Sequence, residues 1–157
     1  MAWYKNLKMT SKLKDITIYT DGSCLNNPGN GGWGAILIYN KKERELSGSQ
    51  AETTNNQMEL KAVIEGIKAV KEKCKINLFT DSKYVQQGIT SWIHNWLKNN
   101  WKSASKKPVK NKDLWQELYQ ESQKHDISWN WVKAHNGDEY NERVDTLAYN
   151  AAKALSK

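Results

Sequence analysis

The sequence predicts an α/β domain, and three observations carry that reading. Two short runs, Ile16-Thr17-Ile18-Tyr19 and Ile76-Asn77-Leu78-Phe79, read as strands, and each ends on Thr-Asp, at Thr20-Asp21 and Thr80-Asp81. Between them Leu60, Val63, Ile64, Ile67 and Val70 fall on one stripe at helical spacing. A helical crossover of this kind suits parallel pairing, whereas the short, turn-rich links at Asn26 to Gly32 and at Lys41-Lys42 imply antiparallel hairpins. The resulting order is βββαβα…αβα.

In the first strand Ile16, Ile18 and Thr20 share one face and Thr17, Tyr19 and Asp21 the other. The run Asn26-Asn27-Pro28-Gly29-Asn30-Gly31-Gly32 completes no phosphate-cradling pattern and reads as a hairpin connection. Trp33 to Tyr39 and, more weakly, Glu45 to Gln50 follow as strands. Thr54-Asn55-Asn56-Gln57 fits a capping box that starts the helix. Glu59 lies on the border of that helix's apolar stripe; by itself it reads as a first-turn acid favoured by the helix dipole. After Asp81, Tyr84, Val85 and Ile89 suit a short helix ending near Gly88, with Ser91 capping the next, which carries Trp92, Ile93, Trp96 and Leu97 on one face. Asn111 reads as the N-cap of a helix with Leu114, Trp115, Leu118 and Ser122 inward. Ile127, Trp129 and Trp131 alternate as the last strand, Lys133 to Gly137 form a loop, and a final helix from about Asp138 packs Tyr140, Val144, Leu147, Ala148, Ala151 and Leu155. Asp145 is a second acid at the edge of an apolar face.

A chain of 157 residues predicts one domain with a core of its own. Lys and Arg number 24 against 17 Asp and Glu, and the net charge of +7 favours a polyanionic partner. Lys98, Lys102, Lys106, Lys107, Lys110 and Lys112 occur with no acid among them, interrupted by Trp101 and Pro108. A solvated loop is the plain alternative, but a one-sign run flanked by tryptophans reads better as a cationic protrusion for backbone phosphates. Cys24 and Cys74 match no zinc spacing and predict reduced thiols. No apolar run approaches the ~20 residues of a membrane span, and the lysine-rich start lacks the apolar core of a signal peptide. The expectation is a soluble, cytoplasmic monomer with no membrane partner, a basic lead-in over residues 1–13 and one domain over residues 14–157.

Asp21 and Asp81 on strand ends and Glu59 and Asp145 on helix edges form an all-oxygen set, which suits Mg²⁺ or Mn²⁺ and is poor for zinc. Each is weak alone. Carboxylates that converge repel strongly unless a cation lies between them.

Several segments together resemble the signatures of type 1 ribonuclease H: Thr20-Asp21-Gly22-Ser23, Thr54-Asn55-Asn56-Gln57-Met58-Glu59-Leu60, Thr80-Asp81-Ser82 and Asn141-Glu142-Arg143-Val144-Asp145. Trp92-Ile93-His94-Asn95-Trp96 and Lys106-Lys107-Pro108-Val109-Lys110-Asn111 add to it, and the likeness runs from about Lys14 to Leu155. It implies the ribonuclease H-like α/β fold, a five-stranded mixed sheet of three antiparallel strands then two parallel ones, with helices on both faces. It implies endonucleolytic cleavage of the RNA strand of an RNA–DNA hybrid, leaving 5′-phosphate and 3′-hydroxyl ends, with two Mg²⁺ ions, or Mn²⁺, acting on the scissile phosphate. By motif position Asp21, Glu59, Asp81 and Asp145 would be the metal-binding acids, and His135 would assist proton transfer or product release. Glu59, Asn27 and Gln87 would read hydroxyls or base edges. Thr54 and Asn55 would hold a DNA phosphate at the helix N-terminus, with Asn56 beside them. Trp92 and the lysines, Lys98, Lys106 and Lys107 among them, would grip the DNA strand. Gln57 departs from the Arg often found there, removing a bidentate phosphate donor, while Asn26 and Ala134 replace glycines. The ribonuclease H portion of a reverse transcriptase fits less well with a chain that starts at Met1 and stops after the last helix. A non-catalytic binding domain on the same fold would gain nothing from acids facing phosphates.

Overall fold

The computed structural model describes residues 13–103, 105–133 and 138–155, so the lead-in falls outside the described residues as far as residue 12. Five strands, β1 (Asp15–Cys24), β2 (Gly29–Tyr39), β3 (Lys42–Thr53), β4 (Lys75–Thr80) and β5 (Asp126–Trp131), form one sheet in the order β3-β2-β1-β4-β5. β2 pairs antiparallel with both β1 and β3, while β4 runs parallel to β1 and β5. The hairpins and the parallel crossover are those that the turn lengths and the helix imply, and the five-stranded mixed sheet is the one that the resemblance implies.

The crossover is α1 (Asn55–Lys68), opened by Thr54, whose hydroxyl accepts from the Gln57 N–H at 3.1 Å. Only half of the capping box forms, because the Gln57 side chain turns to Thr53 and Asn111 instead of back to Thr54. Leu60, Val63, Ile64 and Ile67 are fully buried against Ile18 and Leu78 of the sheet, so the 3.6-residue stripe is the core face of the helix. Trp115 and Leu118 of α4 (Lys112–Ser122) close the same core. The last helix, α5 (Glu139–Ala154), covers the opposite face, where Tyr19 stacks between Phe79 and Tyr140 with centroids 4.7 and 5.0 Å away. Arg143 ties α5 to β3 through Glu43 at 2.9 Å and Glu45 at 2.8 Å.

Several local expectations are corrected. Gly29 to Gly32 belong to β2 and not to the turn. Their smallness serves packing: a Cβ on Gly32 would run into the Ala148 carbonyl, and one on Gly34 would sit 2.7 Å from Leu147 Cβ. The chain does not break at Gly88, which keeps a helical φ of −63°. The short helix α2 (Lys83–Gln87) passes through one wide π turn, Gly88–Trp92, into α3 (Ile93–Lys98), and no side-chain cap intervenes. Gly88 is there because the Trp115 ring occupies the space a side chain would need. Asn111 stands at the start of α4 but in a left-handed conformation, φ 59°, without capping it, and Leu155 is exposed where packing was expected. The Asn40-Lys41 hairpin turn, with φ of 49° and 65°, fits the twist of the strands it joins.

Because Gly32 meets backbone and not a flexible side chain, Gly32→Ala should destabilise the fold by about 1–3 kcal/mol through overpacking of α5 on β2. Urea unfolding measures this, and an unchanged midpoint would show that α5 has slack there.

Candidate active site

The two Thr-Asp segments meet because β1 and β4 are parallel neighbours in register, Ile18 beside Leu78 and Tyr19 beside Phe79. Parallel pairing ends there, but β1 continues on β2 alone as far as Cys24 paired with Gly31. Asp21 therefore stands within a strand, at the point where the neighbouring strand has stopped and a crevice opens. Gly22 brings in the third acid. A Cβ at Gly22 would collide with the backbone of Met58 and Glu59, so β1 lies directly on the first turns of α1. Glu59 is then held by Ser82, which follows the second Thr-Asp: its hydroxyl donates to Glu59 Oε1 at 2.6 Å and accepts from the Val85 N–H at 3.0 Å.

Oxygens of Asp21, Glu59 and Asp81 all come within 4.8 Å of one another. Asp145 joins them from α5, lining the same cavity of about 490 Å³ along with Asn55, Asn56 and Tyr84. Asp21 is buried, and its pKa is pushed up to about 9, first by loss of water and then by the charges of Asp81 and Asp145 and a hydrogen bond shared with Asp145. The Gly22 N–H, 2.9 Å from Asp21 Oδ1, works against that rise. Burial also raises Glu59, with the Ser82 hydrogen bond opposing it and the Asp81 charge adding to it. Crowded carboxylates, one of them retaining a proton at neutral pH, fit a divalent cation: the cation replaces the proton and turns repulsion into ligation. A larger groove of about 550 Å³ lies at the opposite end of the strands among Ile16, Leu37, Val70 and Cys74. It lacks convergent acids and has no part in this chemistry.

A family model described as RNase H matches residues 13–153 of this chain. The chain belongs to the type 1 RNase H family. It is 56% identical to a ribonuclease H of Hydrogenovibrio crunogenus over 92% of this chain and 99% of that one. With a ribonuclease H of Hahella chejuensis the identity is 57%, over 87% and 92%. The crystal structure of LC9-RNase H1, a type 1 RNase H with the type 2 active-site motif, superposes with a TM-score of 0.83 at 33% identity, covering 92% of this chain and 74% of that one. LC11-RNase H1 in complex with RNA/DNA hybrid shares the fold, with a TM-score of 0.66 at 21% identity, over 90% and 99%. The protein is therefore a nuclease on the RNase H fold.

The remaining residues singled out in the sequence are spread around the acids. Asn55 and Asn56 line the acidic cavity, whereas the Thr54 hydroxyl is taken up in capping α1 and the Asn55 N–H already donates to Asn27 Oδ1 at 3.1 Å. Gln87 is exposed at the end of α2. Trp92 is half-buried, edge-on to Tyr84 at 5.6 Å and tilted against Trp96 at 6.0 Å, so much of its ring serves the aromatic cluster. Lys98, Lys106 and Lys107 are exposed on the basic strip. His135 and Ala134 lie outside the described residues. Sequence reasoning missed the parts of Gly22 and Ser82. Ser82 advertises itself as a helix cap, but nothing local announces its bond to Glu59.

Asp21 keeps its proton in the fold up to about pH 9 and loses it near 3.8 when unfolded. The folded state thus binds more protons between those values. The stability that this confers is complete below about pH 4 and is lost as pH rises towards 9. Without metal, unfolding midpoints should fall from pH 5 to pH 9, and added Mg²⁺ should stabilise more at the alkaline end. Asp21→Asn removes the proton uptake that folding requires, so it should raise metal-free stability at pH 8 by more than about 1 kcal/mol, the worth of one pKa unit, and remove the Mg²⁺ effect. A metal response that survives this substitution would take Asp21 out of the cation site.

Proposed function

We propose that this protein is an endoribonuclease that hydrolyses the RNA strand of RNA–DNA hybrids, leaving 5′-phosphate and 3′-hydroxyl ends. The observation that carries the reading is the convergence of carboxylates from β1, α1 and the residue just after β4 within 4.8 Å, with Asp145 beside Asp21. Asp21, Glu59, Asp81 and Asp145 would hold two divalent ions, Mg²⁺ or Mn²⁺. When bound, those ions supply an activated water and charge stabilisation of the leaving 3′ oxygen. Asp21, central and buried, would be among the residues that hold the ions, and Ser82 keeps Glu59 turned towards the cavity instead of into solvent. His135 takes the proton-transfer or product-release role.

The substrate class is taken from the family and from a hybrid-bound neighbour. The hybrid that LC11-RNase H1 carries in its structure is the substrate class assigned here. RNA differs from DNA by its 2′-hydroxyls, exposed in a wide, shallow minor groove. Asn27, Glu59 and Gln87 would read such hydroxyls or base edges around the cut. Asn55, Asn56 and Thr54 at the start of α1 would meet the DNA backbone, where the positive end of the helix dipole favours phosphate. Trp92 and Lys98, Lys106 and Lys107 would grip the DNA strand further along. An acid cluster facing phosphates is of use to a catalyst and a handicap to a pure binder, which sets the non-catalytic alternative aside.

A labelled RNA–DNA hybrid incubated with Mg²⁺ should be cut in its RNA strand only, and Asp81→Asn should reduce cleavage by at least about a hundredfold. Full-length RNA persisting with the wild-type protein would reject the enzyme reading. Neutralising Lys98, Lys102, Lys106, Lys107, Lys110 and Lys112 together should weaken hybrid binding and flatten its salt dependence; an unaltered slope would remove the strip from substrate binding.

A further inference from the structure

Gln57 sits in the first turn of α1, just ahead of Glu59, and both ends of its side-chain amide are engaged. Its Oε1 accepts from the buried Thr53 hydroxyl at 2.7 Å, and its Nε2 donates to Asn111 Oδ1 at 3.2 Å. Asn111 donates in turn to the Tyr84 hydroxyl at 3.1 Å, which also accepts from Trp115 Nε1 at 2.9 Å. The chain of bonds runs from the end of β3, through α1, to the residue at which the lysine strip passes into α4. It ends on Tyr84, in the wall of the acidic cavity.

Two features show that this connection is directed. Asn111 occupies the N-cap position of α4 but leaves that helix uncapped, although an Asn there ordinarily stabilises a helix by about 1 kcal/mol. Its left-handed φ of 59°, which Asn tolerates better than most residues, aims the amide across to α1 instead. The strip, meanwhile, is tied both to itself and to the core: Lys102 bridges Pro108, the Ser103 N–H donates to the Lys107 carbonyl, and the Lys107 N–H donates to Ser103 Oγ, while Val109 is buried and the Trp101 ring tilts against Trp96 at 5.9 Å. Its lysines are thus carried as a unit seated on Trp101 and Val109 and joined to the rest of the chain at two roots. One root continues from α3; the other is Asn111. The amide also suits its position chemically, since it must accept from Thr53 and donate to Asn111. An Arg, which only donates, could not do both.

We infer that Gln57 is a positioning residue: through Asn111 it sets where the lysine strip stands relative to the carboxylates, so that flanking phosphates and the scissile phosphate are engaged together. This rests on the nuclease reading above. Two variants test it. Gln57→Met keeps the length of the side chain and loses both bonds; Asn111→Gly keeps the left-handed backbone and loses the amide. Each should raise KM for the hybrid roughly three- to tenfold, the scale of one lost hydrogen bond, leave kcat within about twofold, and make log KM less steep in log salt. The double variant should be no worse than the worse single one. Unmoved KM and salt slope in both folded variants would overturn the inference, as would an additive double or a loss of kcat at constant KM, and Asn111→Gly decides if Gln57→Met does not fold. Wild-type protein that leaves the hybrid intact would take down the nuclease reading as well, whereas wild-type cleavage with unmoved variants sinks the positioning role alone.

Discussion

Carboxylates from separate elements repel one another at the distances found here, and the burial of Asp21 removes the water that would screen them. A fold that holds such groups together needs rigid supports on every side. β1 is pinned between β2 and β4 as far as Tyr19 and stays paired with β2 beyond it, Asp21 opposite Gly34, so Asp21 cannot swing away with a loop. Gly22 lets α1 rest on the strand backbone, and Ser82 ties Glu59 to the end of β4. On the other face, α5 lies on the glycines of β2 and is tied to β3 through Arg143, and it carries Asp145 towards Asp21. The stability given up at the acids is recovered in the core beneath them, where Ile18, Leu60, Ile64 and Leu78 are completely buried.

The same arrangement accounts for the division of charge. Negative groups gather at one small crevice where parallel pairing ends, while the net charge of the whole chain is +7. On the proposed function, excess lysine on the strip after α3 would offset the local repulsion that a phosphate backbone meets at the acids. On that reading, a polyanion would be attracted by one part of the surface and delivered to another, which would make the spacing between the two a requirement of the site. The hydrogen-bonded path from Thr53 through Gln57 and Asn111 to Tyr84 spans that spacing.

Much of this was legible in the residues. Alternation in Ile16 to Asp21 and the stripe from Leu60 to Ile67 report burial directly, because a side chain's face follows from its position in a strand or helix. The repeated Thr-Asp at two strand ends pointed to neighbouring acids before any register was known. Glycine was the residue most often misread. Gly29 to Gly32 and Gly88 look like breaks, yet they lie within a strand and a helical run, since a missing side chain answers to close packing as well as to turning. Asn111 misled in the same way: an amide at a helix start can bond its own backbone or a distant side chain, and the letter does not say which.

The sequence by itself determined the elements, their faces, the acidic set and the one-sign lysine run, because each depends on spacing along a few turns or a few strand residues. Tertiary structure alone decided that Asp21 is dry, that Ser82 holds Glu59, and that Gln57 reaches Asn111. Those outcomes depend on which surfaces meet across the fold, and contact between residues far apart in the chain leaves no period for a sequence to display.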